Sequence, residues 1–196
     1  MRNSEHTKNQ IIAKATTLFN TKGYRGTSLS DITKATGMTK GAIYGNFENK
    51  DDLAVAAFEA SVIKIMSGLN KYITEQPTAP LKLKAIINYY SEYILNPPIA
   101  GGCPIINTSV EADDAHPLLR LRVVSILAII KDSLKKIISR GIQEYQINKD
   151  IDVELYALMF YATIEGAIVM ARIEGTNRSY DIIKKGLEKQ VDAISL

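Results

Sequence analysis

Two short amphipathic segments separated by a glycine occupy residues 27–50, and this stretch constrains the fold more than any other part of the chain. Ser28 and Asp31 have the spacing of a capping box, in which each residue hydrogen-bonds the backbone of the other at a helix start. Gly37 predicts a left-handed helix stop. Thr39 is a good N-cap for the next segment. The sequence therefore predicts two short helices joined by a tight turn.

The remaining chain is also helical by its apolar periodicity, and no alternation of apolar and polar residues indicates a strand. Ile11, Ala15 and Leu18 form one stripe of a first helix, and Gly23 should end it. This first helix is predicted at about residues 7–22. Besides it and the two short helices, helices are predicted at about residues 50–69, 81–95, 104–112, 117–140, 153–174 and 180–194. The predicted fold class is all-α with about nine helices, in which residues 1–50 form a helix–turn–helix domain and residues 51–196 a larger helical body.

The charge is distributed unevenly between these two parts. Residues 1–50 contain eight Lys and Arg against three Asp and Glu, which gives +5, whereas the whole chain carries +3 and the remainder therefore −2. A basic N-terminal region on a slightly acidic body favours a nucleic-acid-binding module attached to a body that binds other partners.

The single cysteine and the polar N-terminus indicate a cytoplasmic protein. Cys103 is alone, so no disulfide framework can form within the chain, which fits a reducing compartment. The first ten residues lack the apolar core of a signal peptide. The most apolar runs, near 123–130 and 157–164, are too short to cross a bilayer, so we expect no membrane partner.

The helix–turn–helix lies in a sequence context that resembles the TetR (tetracycline repressor) family of bacterial transcription regulators. The resemblance is carried by residues 15–19, 23–28, 31–32, 37–44, 47 and 49–53, and it covers about the first 55 residues closely. It implies a homodimeric regulator, most often a repressor, that leaves a pseudo-palindromic operator when the body binds a small molecule. Control by a protein partner is the alternative that the sequence leaves open.

Polar positions around the two short helices are the candidate DNA contacts. A helix N-terminus with a nearby hydroxyl can bind a phosphate, and the second short helix is the one expected in the major groove. Lys40 can reach a base edge or a phosphate there, Tyr44 can reach a phosphate with its hydroxyl, and Lys50 can bind the DNA backbone. At two positions, Gly45 and Asn46, this chain departs from the usual family pattern of a bulky aromatic followed by His. The candidates are Thr27, Ser28, Thr39, Lys40, Gly41, Tyr44, Asn46 and Lys50.

The segment 153–171 is the candidate dimer helix. It carries only Glu154 and Glu165 as charged residues, and a helix that is apolar all round must be buried all round. A second subunit is the expected cover, and two small residues four apart would allow a facing helix to approach closely. The residues assigned to the interface are Tyr156, Ala162, Gly166, Val169 and Met170.

A ligand cavity in the body is implied by the resemblance, and the chain offers tyrosines that would line it with hydroxyl groups. The alternative for each of these residues is ordinary core packing. Glu165 could face a cationic ligand, although a pair with Arg120, Arg122 or Arg172 is the plainer reading. The candidate ligand-binding residues are Tyr89, Tyr90, Tyr93, Cys103, Asn107, Phe160 and Glu165.

Enzymatic and metal-binding readings are not favoured by the sequence. Its only histidines are His6 and His116, and Cys103 with His116 lacks an orienting third group for nucleophilic catalysis. Four acidic and imidazole side chains could ligate a metal, but a solvated loop that caps the seventh helix is the simpler interpretation. That group comprises Glu111, Asp113, Asp114 and His116. We therefore expect no catalytic residues, no metal and no cofactor.

Overall fold

The chain folds into nine α-helices within the residues that the computed structural model describes, 2–112 and 116–196. Pairing of extended backbone there is limited to one isolated bridge between Ile147 and Ser195, so the all-α prediction is confirmed. The helices are α1 (Arg2–Gly26), α2 (Leu29–Thr36), α3 (Lys40–Tyr44), α4 (Lys50–Thr74), α5 (Ala79–Leu95), α6 (Pro104–Ala112), α7 (Pro117–Gln143), α8 (Val153–Glu174) and α9 (Arg178–Ile194).

Helix ends follow the capping residues where the sequence provides them. The Asp152 carboxylate accepts the Leu155 N–H at 3.0 Å and begins α8, and Gly175 ends that helix with a φ of 66°. The first helix behaves differently, because Gly23 breaks it with φ 78° and ψ 170° but helical turns continue to Gly26. The prediction that Gly23 interrupts the helix is confirmed, whereas the predicted end at residue 22 is too early.

The helices group into two compact units. The first consists of Met1–Ile65 with Ile99–Val124, and the second of Met66–Pro98 with Ser125–Leu196. Both α4 and α7 are long enough to contribute one part to each unit. This grouping differs from the division predicted at residue 50, which remains a prediction about function.

The core of the first unit is built from the apolar stripes of α1 to α4. Ile11, Ile32 and Ile43 are at most 1% exposed, and they pack with aliphatic and aromatic neighbours on the other helices. Burying each large aliphatic side chain contributes roughly 1.5–3 kcal/mol of transfer free energy. The remaining buried members of this cluster are Ala15, Phe47, Leu53 and Ala57. This core fixes α3, a helix of only five residues, on the other three.

The second unit has its own core, in which α5, α8 and α9 pack against one another. Tyr180 is fully buried there, and its hydroxyl donates a 2.7 Å hydrogen bond to the Ile87 carbonyl. Burial raises the pKa of the Tyr180 phenol, since the charged form would lose its hydration. Phe160 and Leu187, each 1% exposed, complete the contact between these helices.

Candidate DNA-binding surface

The start of α2 is held by the predicted capping box. The Ser28 hydroxyl accepts the Asp31 N–H at 3.1 Å, and the Asp31 carboxylate accepts the Ser28 N–H at 2.9 Å. Lys22 reaches the same carboxylate at 2.8 Å. Hydrogen bonds from Lys22 and Ser28 hold the pKa of Asp31 well below its usual range. The cap is therefore ionised at neutral pH and matches the positive end of the helix dipole.

Thr27 does not contribute a hydroxyl to the surface, and this part of the prediction is wrong. Its side chain is fully buried, and the hydroxyl donates to the Gly23 carbonyl at 2.7 Å. The break at Gly23 leaves that carbonyl without a regular helical partner, and the threonine hydroxyl supplies one. Ser28 is exposed, but its hydroxyl proton points to Asp31 at 2.6 Å.

The third helix presents a short polar surface on a buried base. Thr39 begins the helix by accepting the Ala42 N–H at 3.2 Å. Its exposed residues include Lys40, Gly41 and Tyr44, the last 50% exposed, while Ile43 on the opposite side is 1% exposed. A lysine, a bare backbone and a phenol thus face outward from a helix that its own core holds in place, as a recognition helix requires.

Asn46 follows the end of α3, and its side-chain amide already makes one hydrogen bond within the protein. Its Nδ2 donates to the Ala42 carbonyl at 2.8 Å, which leaves one amide hydrogen and the side-chain oxygen for other partners. Gly45 next to it is exposed and in the right-handed helical region, with φ −72°. These two positions offer a smaller contact surface than an aromatic residue followed by His would.

Lys50 starts α4 with its ammonium turned towards the α1–α2 turn. The ammonium donates to the Tyr24 carbonyl at 2.6 Å and lies 4.1 Å from the centre of the Tyr24 ring. Partial burial lowers the pKa of Lys50, while the negative charges of Asp51 and Glu111 act in the opposite direction. The ammonium has three donor hydrogens, so a phosphate contact beside the carbonyl contact stays a prediction.

Tyr24 is the centre of a polar junction that the sequence did not predict. Its N–H donates to the Glu111 carboxylate and its hydroxyl to the Asp51 carboxylate. Burial raises the pKa of Tyr24 to about 12, and the Asp51 hydrogen bond adds to the shift. The same hydrogen bond from Tyr24 is the largest cause that lowers the pKa of Asp51. No spacing in the sequence relates residues 24, 51 and 111, so only the fold reveals this junction.

His116 closes the junction and caps α7, as expected, but it is buried and not solvated. The side chain is 7% exposed, its Nδ1 accepts the Leu119 N–H at 3.2 Å, and its Nε2 lies 3.4 Å from Asp51 Oδ1. Accepting at Nδ1 places the ring proton on Nε2, facing the carboxylate. Glu111 is likewise partly buried and bound. Asp113 and Asp114 lie outside the described residues.

The described residues contain no group of three or more His, Cys, Asp and Glu side chains that could hold a metal ion. A cavity of about 30 Å³ lies beside the junction, with Tyr24, Asn107 and Glu111 in its wall. That volume suits one or two water molecules rather than an organic ligand.

The predicted ligand-binding residues are divided between the two units. Cys103 and Asn107 belong to the first unit, where the Asn107 amide donates to the Gly101 carbonyl at 2.7 Å and to Asn20. The aromatic members belong to the second unit, and they are tightly packed. Tyr89 lies edge-on to Tyr90 with 5.3 Å between ring centres. The second-unit members are 1–8% exposed: Tyr89, Tyr90, Tyr93, Phe160 and Glu165.

A different cavity, of about 200 Å³, opens elsewhere in the second unit between α5 and the end of α7. Lys82, Lys136 and Arg140 lie in its wall, and none of the predicted ligand-binding residues does. Arg122, one of the proposed partners of Glu165, instead binds Glu59 at 3.1 Å within the first unit. Ligand contact by the tyrosines and Glu165 therefore stays a prediction.

The apolar residues of α8 are divided between a buried face and an exposed face. Phe160, Ile164 and Ile168 are at most 2% exposed, whereas Met159 is 54% and Met170 51% exposed. Three of the five predicted interface residues are exposed on this face, Gly166 is half-buried on it, and the hydroxyl of Tyr156 is buried. The exposed residues of the face are Leu155, Leu158, Met159, Ala162, Val169, Met170 and Ile173.

The same helix is long and apolar enough, by length and composition alone, to cross a membrane, so the expectation that the apolar runs are too short for this is not confirmed. One third of its apolar window is buried against the rest of the second unit. Its inward side carries Glu165, which is 5% exposed. A helix with one face packed on α9 and a buried carboxylate is typical of the interior of a globular protein.

A capped pair of short helices with an exposed recognition surface, held on a helical core, defines a helix-turn-helix DNA-binding protein. The family description "Bacterial regulatory proteins, tetR family" matches residues 11–57. A second description, "Tetracyclin repressor-like, C-terminal domain", matches residues 79–187, more than half of the chain. The chain therefore belongs to the TetR family of bacterial transcription regulators.

Similar proteins extend over most of the chain. The Fatty acid metabolism regulator protein of Bacillus subtilis (strain 168) is 27% identical over 175 residues, which cover 89% of this chain and 87% of that protein. The HTH-type transcriptional repressor DhaR of Mycobacterium sp. (strain GP1) is 28% identical over 178 residues, 89% of this chain and 86% of that protein. A crystal structure of a TetR transcriptional regulator from Chloroflexus aurantiacus J-10-FL superposes with a TM-score of 0.95 and 34% identity over 100% of this chain and 98% of that one.

Proposed function

We propose that this TetR-family regulator is a homodimeric repressor that acts in the cytoplasm and leaves its operator when a small molecule binds. The observation that carries the proposal is the exposed Lys40 and Tyr44 surface on a capped, core-anchored α3. The Mycobacterium relative is named a transcriptional repressor, which supports the same direction of control. Control by a protein partner is not favoured.

The dimer follows from the exposed face of α8. Exposed apolar side chains that form one continuous helix face usually mark an interface between proteins. Ala162 and Gly166 are small, and a side chain added at Gly166 would meet no other atom of the chain within 4 Å. A second copy that covers this face would bring two α3 helices to two half-sites about 34 Å apart, or a multiple of that distance.

DNA binding is tested by selecting duplexes from a random-sequence library with the purified protein and measuring the affinity of the selected duplex by fluorescence anisotropy. We expect an inverted repeat, two protomers per duplex and a steep loss of affinity with added salt. A library that yields no enriched sequence would contradict the proposal. An enriched sequence without two-fold symmetry would also contradict the proposal, because a homodimer should select an inverted repeat.

Ligand release is tested with the selected duplex and a panel of small molecules. Tyr89, Tyr90 and Tyr93 would give a binding site apolar walls with hydroxyl groups, which suits an apolar molecule that carries one polar group. The name of the Bacillus relative makes fatty acids the first probes. A true effector should lower DNA affinity at least about tenfold and raise the unfolding temperature of the protein. Compounds that bind the protein without changing DNA affinity would contradict this part of the proposal.

A further inference from the structure

The break at Gly23 leaves two backbone groups of α1 without their helical partners. In a regular helix the Tyr24 N–H would donate to the Asn20 carbonyl. Because Gly23 adopts φ 78° and ψ 170°, the chain turns away between these residues. A polar group that is left without a hydrogen bond in a partly buried position costs about 1–3 kcal/mol, so both groups require replacement partners.

Two side chains of α6 supply both replacements. The Glu111 carboxylate accepts the Tyr24 N–H, and the Asn107 amide donates to the Asn20 carbonyl at 3.1 Å. Residues 107 and 111 are one helical turn apart and therefore lie on the same face of α6. Together they bridge the interrupted hydrogen-bond pattern of α1. We call Asn107 and Glu111 the α6 bridge.

The carboxylate occupies space that only a glycine leaves open. A Cβ atom at position 23 would overlap Glu111 Oε1, so a larger residue fits only if that carboxylate moves. Gly23 therefore serves the junction twice, since it adopts a positive φ and provides room for the carboxylate. The hydrogen bond between Glu111 and the Tyr24 N–H therefore depends on a glycine at position 23.

Tyr24 connects the α6 bridge to the start of α4. Its carbonyl accepts the Lys50 ammonium at 2.6 Å, and its hydroxyl donates to the carboxylate of Asp51, the next residue. The first two residues of α4 are thus bound by one tyrosine. The Tyr24 carbonyl is part of the turn that follows Gly23, so its direction depends on where the Tyr24 N–H is held.

We propose that Glu111, supported by Asn107, is a positioning residue for DNA binding, which acts through Tyr24 to hold the Lys50 ammonium at the edge of the DNA-binding surface. The proposal rests on the proposed DNA-binding function. It assigns to α6 a role in the placement of a candidate phosphate contact, although both α6 residues are themselves bound to α1.

Two substitutions of Glu111 separate the hydrogen bond from the charge. Glu111→Asp keeps the charge but withdraws the acceptor by one methylene group, so the Tyr24 N–H loses its partner. Glu111→Gln keeps an acceptor oxygen at the same reach but removes the charge. Val110→Ala is the matched control, because Val110 is on the same helix and 78% exposed.

The readout is a double-mutant cycle with Lys50→Met, measured on the duplex selected with the parent protein over a range of KCl concentrations. We expect Glu111→Asp and Lys50→Met each to weaken binding about tenfold and to reduce the salt slope by about 1. The double variant should bind like Lys50→Met alone, because Glu111 acts through Lys50. Glu111→Gln and Val110→Ala should stay within about threefold of the parent.

Several results would overturn the proposal. Losses from Glu111→Asp and Lys50→Met that multiply in the double variant would show that Glu111 acts independently of Lys50. Parent-like DNA binding by Glu111→Asp, or weak DNA binding by Glu111→Gln, would show that the hydrogen bond between Glu111 and the Tyr24 N–H does not support DNA binding. A parent protein that selects no DNA would instead contradict the proposed function itself. Thermal unfolding in the same buffer verifies that each variant is folded. Hydrogen exchange of the Tyr24 amide reports the lost hydrogen bond directly, and we expect it to be faster in Glu111→Asp than in the parent.

Discussion

The exposed surface of α3 and the exposed face of α8 differ in both chemistry and support. The α3 surface is polar and only five residues long, and its helix is fixed by an N-cap and by a buried side chain on the opposite side. The α8 face is apolar and extends over five turns, from Leu155 to Ile173, on a helix that is already stable in its own unit. A polar surface suits a charged, hydrated partner, whereas an apolar one is stable only when another protein surface covers it.

The largest expected effect comes from placing charge on the α8 face. Ala162→Glu with Met170→Glu should give a folded monomer, because both residues are exposed in the protomer but would bury carboxylates in a dimer. Operator affinity should fall about 100-fold, since the two half-sites would no longer be bound together. Sedimentation velocity and anisotropy measure the two changes. Leu81→Glu, at a position 42% exposed on α5, is the control, and a double variant that remains dimeric would contradict the assignment.

The next effect concerns the α3 surface. Lys40→Ala should reduce affinity for the selected duplex by about 10- to 100-fold if the lysine reads a base edge, which is worth about 1–3 kcal/mol. Affinity for an unrelated duplex should change much less. Competition between the two duplexes measures the difference, with Lys71→Ala on α4 as the control. Equal losses on both duplexes would make Lys40 a phosphate contact instead of a base contact.

A smaller effect is expected where the polar surface is attached to α1. Gly23→Ala should lower the free energy of unfolding by about 1–3 kcal/mol, because alanine resists a φ of 78° and its Cβ would displace Glu111. Gly26→Ala is the matched control, since a Cβ there meets only Lys22 Cβ at 3.7 Å. Urea denaturation compares the free energies of unfolding of the two variants. Equal values would mean that the helix break at position 23 does not require a glycine.

The smallest effect is expected at the α2 cap. Ser28→Ala should cost about 1 kcal/mol of stability at neutral pH, with Ser30→Ala as the control. The pKa of Asp31 is lower in the folded protein than in the unfolded chain, so the carboxylate stabilises the fold above a pH of about 4 and loses this effect as the pH falls. The difference between variant and parent should therefore shrink below that pH. A pH-independent difference would show that the carboxylate does not take part.

Local chemistry explains which parts of the candidate site could be predicted. The Ser28 and Asp31 box, the Gly37 stop, and the Thr39 and Asp152 caps each involve residues at most three or four positions apart, and all are present in the structure. The buried stripe of α1 follows in the same way from helical periodicity. These features depend on a few neighbouring residues, so the sequence carries them directly.

The errors have two origins, one local and one between distant segments. Thr27 has a side chain typical of a phosphate contact, but its hydroxyl turns inward to the carbonyl of Gly23, four residues earlier, where α1 is broken. Glu111 and His116 look like members of a solvated acidic loop, but Glu111 binds the Tyr24 N–H and His116 lies 3.4 Å from Asp51. A hydrogen bond between residues 87 positions apart in the sequence has no local signal, because either partner could equally well be solvated.

The sequence by itself determined the all-α class and the helix–turn–helix with its caps, because helical periodicity and capping act within one or two turns. Its motifs in the first 55 residues also resemble the TetR family, and the family matches confirm that membership. Only the tertiary structure decided which face of the apolar α8 is left exposed and how the α6 bridge repairs the break in α1. Both depend on which surfaces distant helices cover and on which orphaned backbone groups they reach. A hydrogen-bond donor at Tyr24 and an acceptor at Asn20 are present in any chain with these residues, but their partners exist only after α6 has packed beside them.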